Sequence, residues 1–287
     1  MIPPEFDYHA PHSLAEAIHL LGELGPEAKL LAGGHSLLPM MKLRFAQPTH
    51  LIDLNRIDEL RGIRERGDTI EIGAMTSESA LIDSPLLQAR LPLLPEVARQ
   101  IADPQVRNRG TIGGDIAHGD PGNDHPAIAL ALDATLVLTG PQGERELPAD
   151  GFFLGTYLTR MGEDEILTRI RMPAFAPRTG YAYHKLKRKT GDWATAAAAV
   201  VLRLDAGVVS HVRIALTNVA PTALRAHAAE AELLGRRLEP AVIEQAVQQL
   251  IAICDPAEDL RGDIEYKTAM AGQMFRRALT QAAARCA

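Results

Sequence analysis

The sequence predicts an α+β protein, and three observations carry that prediction. Up to about residue 170, short apolar runs of strand length alternate with helical patterns, and two of the breaks between them are glycine pairs. The stretch MPAFAPRTG, Met172 to Gly180, is proline-broken and reads as a linker. Beyond it the order changes: three strand-like runs follow one another, and the chain then finishes in helical patterns. At 287 residues the chain is long for one small core, and two units with a smaller third fit its length.

The elements follow in order. Ser13-Leu-Ala-Glu16 has capping-box spacing and opens an amphipathic helix to about Leu24. Lys29 to Ala32 is a strand, and Pro39 to Leu43 a short helix after a glycine turn. His50 to Leu54 and Thr69 to Ile72 read as strands. Thr76 or Ser77 caps a helix through Ile82, and Leu93 to Ile101 is another helix. Gly110 to Asn123, rich in glycine and aspartate, reads as irregular. Pro126 to Leu132 is helical, whereas Ala134 to Thr139 and Ile166 to Met172 are strands. After the linker, Tyr181 to Lys187, Ala196 to Leu204 and Val208 to Val219 form an antiparallel meander. The tail holds helices at Ala223–Leu234, Pro240–Ile253 and Ile264–Ala284, with Pro240 at a first helical position.

Composition excludes several classes. A net charge of −6 speaks against a general nucleic-acid binder, which needs a basic face. Two cysteines, Cys254 and Cys286, are too few for a disulfide framework, a cysteine-ligated zinc site or an iron–sulfur cluster, and a reduced intracellular compartment is expected. MIPPEFDYHA has neither a basic n-region nor an apolar h-region, so no secretion signal is expected. The longest apolar run, Ala194 to Leu202, falls far short of the roughly 20 residues that span a bilayer.

The chemistry concentrates in a few stretches. Composition alone predicts about two glycine pairs, and two occur, in LLAGGHSLLP and RGTIGGD, so their meaning lies in context. The first follows a strand-like run, with His and Ser after it, and the second follows Thr-Ile, with Asp after it. Glycine turns can bring several N–H groups close to an anion and often need φ > 0, and a diphosphate would suit such a nest. Two tight turns packed for sterics is the alternative. No G-x-x-x-x-G-K-[ST] and no helix-opening G-x-G-x-x-G is present. Gly34-His-Ser36 lacks the second glycine of a nucleophile elbow, because Leu38 stands there. HGDPGNDH, His118 to His125, carries metal-ligand types, but Pro121-Gly122 marks a turn and no second cluster completes a site; Asp124 could instead accept from sugar-like hydroxyls. KLKRK, Lys185 to Lys189, reads as a solvated strand edge or partner surface, or supplies one lysine to an anionic ligand. Trp193, the one tryptophan, is either core or a cap on a flat ring. No nucleophile or acid–base pair is evident, so no catalytic residue is expected.

Taken together, AGGHS, TIGGD about 80 residues later and KLKRKTGDWATAAAAV resemble the FAD-binding medium subunits of molybdenum hydroxylases, in particular the branch serving carbon monoxide oxidation. The resemblance runs from FDYHAP to YKTAMAGQMFRRAL. It implies a PCMH-type, vanillyl-alcohol-oxidase-like fold with FAD-binding subdomains at 1–57 and 58–177. A C-terminal flavoprotein domain at 178–287 would hold a three-stranded antiparallel sheet and a helical bundle. By the same resemblance, Ala32, Gly33, Gly34, His35 and Ser36 match a first pyrophosphate loop flanked by Leu31 and Leu37. Gly110, Thr111, Gly113 and Gly114 match a second. Ile101, Ala102 and Asp103 match a segment beside the cofactor, Asp124 a carboxylate near the ribityl hydroxyls, Lys185 a lysine near the flavin, and Trp193 an aromatic at the isoalloxazine.

The resemblance implies an oxidoreductase subunit with non-covalent FAD and no metal of its own. Two [2Fe–2S] clusters on a small subunit would feed this FAD, which passes electrons to a quinone. Carbon monoxide would be oxidised on a large molybdenum subunit, in a cytoplasmic dimer of heterotrimers that can reach the inner face of the membrane through the complex. Service to another hydroxylase, for a heterocycle or aldehyde, is the alternative, and a nucleotide-binding module without flavin is a third reading. Two residues depart from simple expectation. Asp115 stands where the family has asparagine, and a carboxylate repels a diphosphate unless it points away or hydrogen-bonds backbone. His35 occupies a position at which related covalent flavoproteins attach the flavin.

Overall fold

The computed structural model describes residues 2–286, and the chain builds three main sheets in sequence order. In the first, β1 (Asp7–His9), β2 (Ala28–Leu31) and β3 (His50–Asp53) are all parallel, in the order β1-β3-β2. Parallel neighbours need a crossover: the chain passes from β1 through helix α1 (Leu14–Leu24) to β2, and from β2 through residues 32–49 to its neighbour β3. Ser13 caps α1 by accepting the Glu16 N–H at 3.2 Å, as its spacing predicts. Ala17 and Leu21 on its inner face pack with Ile52, Leu54 and Ile57. Beyond β2 the chain turns through residues 32–36 into the short helix α2 (Leu37–Lys42).

The second sheet is antiparallel throughout. Strands β4 (Ile63–Arg66) and β5 (Thr69–Gly73) are followed by six short helices: α3 (Glu78–Asp83), α4 (Pro85–Arg90), α5 (Leu93–Ala98), α6 (Pro104–Arg109), α7 (Ile112–His118) and α8 (Asp124–Ala131). Then come β6 (Thr135–Gly140), β7 (Gly143–Pro148), a small hairpin of β8 (Phe153–Gly155) and β9 (Leu158–Thr159), and β10 (Ile166–Pro173). The order is β4-β5-β10-β6-β7. The segment read as irregular, 110–123, contains α7: its glycine pair lies inside a helix rather than in a loop. Ser77, not Thr76, caps α3.

The third sheet holds the predicted meander, β11 (Gly180–Leu186), β12 (Ala196–Asp205) and β13 (Val208–Thr217), extended by the two-residue β14 (Leu224–Arg225). Helices α9 (His227–Leu233), α10 (Pro240–Ile251) and α11 (Ile264–Ala284) cover one face. Strand β12 is buried on both sides, which explains why AAAAVVL shows no alternation. Ala196, Ala198, Val200 and Leu202 pack with Phe275 and Ala278 of α11, while Ala197, Ala199 and Val201 join the core that holds Ile128 of α8. At the start of β11 a Cβ on Gly180 would stand 1.9 Å from the Ala282 carbonyl oxygen, so glycine there sets how closely α11 lies on the sheet.

Candidate functional site

Two concavities of similar size mark the surface. One, of about 710 Å³, lies on the outer face of the second sheet, where Arg64, Arg66, Arg169 and Arg171 mix with Glu59 and Glu71. Arg169 and Arg171 there are spent on Glu71, Glu144 and Glu146, which makes it an ion-paired sheet face. The other is a cleft of about 660 Å³. It takes residues from the end of β2, the turn after β5, helix α7 and the strand–loop β11 to Trp193, so all three sheets contribute to it.

Every residue singled out from the sequence lines this cleft except Leu31, whose side chain instead packs beneath Gly34, with Cδ1 3.3 Å from where a Cβ there would be. The first glycine segment behaves as a nest. Gly34 has φ of 79°, the left-handed turn that glycine permits. The N–H groups of Gly33, Gly34, His35, Ser36 and Leu37 have no acceptor among the described residues. The first helical bond of α2 runs from the Leu38 N–H to the Gly34 carbonyl at 3.1 Å. His35 is exposed and folds back, its Nδ1 3.1 Å from the Gly33 carbonyl oxygen. A carbonyl can only accept, so Nδ1 carries the proton and Nε2 is the free position.

The second glycine segment works differently. Thr111 caps α7 by accepting the Gly114 N–H at 3.2 Å, and the N–H groups of Ile112 and Gly113 go to the Thr76 and Ala74 carbonyls at 3.1 and 2.9 Å. These amides are spent, so Gly113 and Gly114 add no further donors. Their value is the missing Cβ: one on Gly113 would meet the Ala74 Cβ at 2.4 Å, and one on Gly114 the Ala32 Cβ at 3.2 Å. A Cβ on Gly33 would likewise meet the Arg109 carbonyl oxygen at 2.4 Å. Both readings of the glycine pairs therefore hold in part, with an open nest in one segment and a steric seam joining the two.

Under the cleft lies a cluster of ionisable groups whose side-chain pairs join residues 47 to 61 apart in sequence. Asp124 accepts from the Tyr183 hydroxyl and from Lys185 Nζ at 2.6 Å, and both partners of that ion pair are buried. Lys185 is therefore an inward lysine, not a solvated edge. His125 Nε2 stands 2.8 Å from Glu78 Oε2, with both side chains buried. Burial alone would lower the His125 imidazole, but the carboxylates of Glu78, Asp115 and Asp124, with Glu78 foremost, together outweigh it and raise the group to about 9. Asp115 Oδ2 accepts the His125 backbone N–H at 3.1 Å. Enclosure by protein, reinforced by Glu78 and Asp124, pushes its carboxyl up to about 7, although the side chain still opens on the cleft. Burial also drives the Tyr183 phenol well above its usual range.

The rim is built from two facing loops. Ala102 adopts φ of 41°, and a Cβ on Gly191 would reach its carbonyl oxygen at 3.7 Å. Asp103 caps α6, accepting the N–H groups of Gln105 and Val106 at 2.8 and 3.0 Å. Trp193 is half-exposed rather than core; its Nε1 donates to Asn123 Oδ1 at 3.4 Å, and the Arg261 guanidinium lies 5.6 Å over its ring. Asp192 beside it is buried and holds Arg188 and Arg261 at 3.0 and 3.1 Å.

The HGDPGNDH residues diverge: His118 lies on the Tyr157 ring, Asp120 holds the Gly122 N–H, and His125 turns to Glu78. Among the described residues no group of three or more His, Cys, Asp or Glu is placed to hold a metal ion, and no helix is long and apolar enough to cross a membrane. Sequence reasoning missed Glu78, His118, Asn123 and Tyr157 as cleft residues and left Asp115 aside. Asp115 lies in the motif itself, and His118 and Asn123 in the HGDPGNDH stretch; Glu78 and Tyr157 carry no local signal.

Comparison with known proteins bears on this cleft. Residues 4–175 match the family described as the FAD binding domain in molybdopterin dehydrogenase, and residues 181–282 match the CO dehydrogenase flavoprotein C-terminal domain. The chain is 68% identical to the carbon monoxide dehydrogenase medium chain of Hydrogenophaga pseudoflava over 287 residues, covering 100% of both. It is 52% identical to that of Afipia carboxidovorans over 285 residues, covering 99% of both. A solved structure of the Hydrogenophaga pseudoflava enzyme, lacking the Mo-pyranopterin moiety of its molybdenum cofactor, superposes with a TM-score of 0.99 at 70% identity over 100% of each chain.

Proposed function

The chain belongs to the flavoprotein family of the molybdopterin dehydrogenases, and from that premise we propose that it is the FAD-carrying medium subunit of an aerobic carbon monoxide dehydrogenase. The observation that carries the choice is identity of 68% along the whole chain to a carbon monoxide dehydrogenase medium chain. The cleft suits the cofactor on its own chemistry. Five consecutive unspent N–H groups offer an anion nest for a diphosphate. A volume of about 660 Å³ falls within the roughly 300–1,000 Å³ of small-molecule sites.

FAD, when bound, supplies the electron-transfer chemistry, and the protein supplies binding, orientation and electrostatics. The segment Ala32–Leu37 would hold the diphosphate, with Gly110, Thr111, Gly113 and Gly114 as the wall that keeps that nest in shape. Ile101, Ala102 and Asp103 would flank the cofactor, Trp193 would stack on its flat ring, and the Asp124–Lys185 pair would meet its polar tail as a neutral unit. We place the division into FAD-binding subdomains and C-terminal domain after residues 57 and 177; the outermost residues, 1 and 287, lie outside those described.

In this reading the protein is cytoplasmic and assembles with a small [2Fe–2S] subunit and a large molybdenum subunit as a dimer of heterotrimers. Carbon monoxide would be oxidised on the large subunit, and the FAD held by this chain would supply electron transfer toward a quinone. Cys254 and Cys286 are free thiols, too few to ligate a cluster here. Co-purification followed by assay of carbon monoxide oxidation with an artificial acceptor tests the assignment. The preparation should be yellow and release its FAD to the supernatant on acid precipitation. Colour retained in the pellet would mean attachment through His35. Oxidation of a heterocycle or aldehyde without carbon monoxide activity would move the chain to another hydroxylase, and absence of flavin from the complex would end the reading.

A further inference from the structure

Asp115 presents a carboxylate at a cleft that suits an anion, and the surrounding charges compensate it only in part: enclosure, Glu78 and Asp124 push its carboxyl up, against the pull of the His125 imidazolium, which Glu78 already holds. Three carboxyl groups meet at the floor, from Glu78 on α3, Asp115 on α7 and Asp124 on α8, against two cations, His125 on α8 and Lys185 on β11. Lys185 is taken by Asp124 at 2.6 Å, and His125 by Glu78 at 2.8 Å. Asp115 makes no ion pair among the described residues. On its own helix, burial holds His118 low and so disfavours its cationic form, and Tyr157, ahead of β9, is held high by burial and stays a neutral phenol. On the far wall, before β10, Glu165 is bound by Arg145. Among the described residues the Asp115 carboxyl accepts one hydrogen bond, from the His125 N–H to Oδ2 at 3.1 Å, which leaves Oδ1 for a proton.

We infer that Asp115 serves the cleft as a neutral carboxylic acid, donating a hydrogen bond to the bound cofactor and keeping one proton at this position for as long as FAD is held. The inference rests on the FAD reading above. A carboxyl that shares a site with two others stays protonated far more readily than an isolated one, and an arriving diphosphate strengthens that preference. A protonated carboxylic acid held by its surroundings is an established kind of donor. The shift of this group to about 7 in the unliganded cleft agrees. Binding of FAD then takes up a proton at neutral pH, and affinity falls as the medium becomes basic.

The test is rebinding of FAD to the deflavinated complex, followed by flavin fluorescence from about pH 6 to about pH 8, a window in which neither the diphosphate nor the oxidised flavin changes charge. Coupling to one proton of a group half-titrated near pH 7 predicts a Kd about tenfold weaker at the basic end. Asp115→Asn keeps the size, still accepts the His125 N–H and still donates, but cannot titrate; its Kd should change less than about twofold over the same range. Equal pH profiles for the two proteins, or failure of the folded Asn variant to bind, would overturn the inference. An independent reading needs no variant: calorimetry in buffers of different ionisation enthalpy should show uptake of nearly one proton at about pH 8, and none would overturn it. If the wild-type complex takes no FAD at any pH, the FAD reading itself has failed.

Discussion

Gly33 lies against the backbone of Arg109 so closely that a Cβ on the glycine would stand 2.4 Å from the arginine's carbonyl oxygen. Across the same seam, Gly114 brings α7 to within 3.2 Å of the Ala32 methyl, measured from where its own Cβ would be. Two segments 80 residues apart are therefore joined by absent side chains, and the unspent N–H groups of residues 33–37 owe their position to that joint. Gly33 itself has no positive φ; that conformation belongs to Gly34. The constraint on Gly33 is contact, not torsion.

Gly33→Ala should therefore reduce FAD content by about tenfold or more. The obstacle is backbone, which cannot rotate away, and overpacking of this kind costs about 1–3 kcal/mol. Gly22→Ala is the control, because nothing lies within 4 Å of a Cβ there and the position is inside α1; it should raise stability by roughly 0.5–1 kcal/mol. Flavin-to-protein absorbance and thermal melts decide. Full FAD occupancy in Gly33→Ala would show that the seam does not set the nest.

The buried Lys185–Asp124 pair predicts a non-additive pair of variants. Lys185→Met strands a carboxylate that is 4% exposed, and losing one partner of a buried pair costs about 3–5 kcal/mol. Asp124→Asn in addition removes the stranded charge and still accepts from the Tyr183 hydroxyl, so the double variant should recover more than half of the loss. Urea unfolding of the wild type, each single variant and the double variant gives the coupling, and equal stabilities of Lys185→Met and the double variant would mean that the pair is not a unit.

How much of this could be read from the chain divides along physical lines. The meander and α11 were legible because long apolar strands and a 21-residue helix carry strong patterns. Strands β4 and β7 were not: IRER and GERELP are exposed, charged edge strands, β4 paired with β5 and β7 with β6, and Arg169–Glu144 and Arg171–Glu146 reach β7 from β10 across β6. Helix α7 was hidden because glycine disfavours helices, yet Gly113 must be glycine to lie on Ala74. The glycine motifs located the cleft, but Glu78 meets His125 across 47 residues, and no local rule pairs them.

Stability should fall as pH rises, with the sign fixed by two groups. The carboxylates around His125, Glu78 foremost, overcome burial to raise it from 6.5 to about 9, so the stability they lend is complete below 6.5 and is lost between 6.5 and about 9. Asp115 is raised from 3.8 to about 7, so the folded state holds a proton that the unfolded chain has released, and stability declines over that range too. Thermal melts of the deflavinated protein should show a lower Tm at about pH 9 than at about pH 6. His125→Gln should flatten the upper part of that decline. A Tm that climbs with pH would contradict both assignments.

Trp193 gives the last prediction. Half of its surface is exposed at the cleft rim, and its contacts are one long hydrogen bond to Asn123 and the guanidinium of Arg261. Little core is lost in Trp193→Ala, so stability should change by no more than about 1 kcal/mol, as at other exposed positions. The flavin should respond far more, because an aromatic plane facing a bound ring contributes about 0.5–1.5 kcal/mol beyond area burial. A shift in the flavin absorption bands and a several-fold weaker Kd are expected with an unchanged melt. Trp193 is also the one tryptophan in the chain, so its fluorescence should be quenched in step with FAD uptake by the wild type. A variant that melts early but binds flavin normally would make Trp193 a structural residue and leave the flavin face of the cleft to be sought elsewhere on its wall.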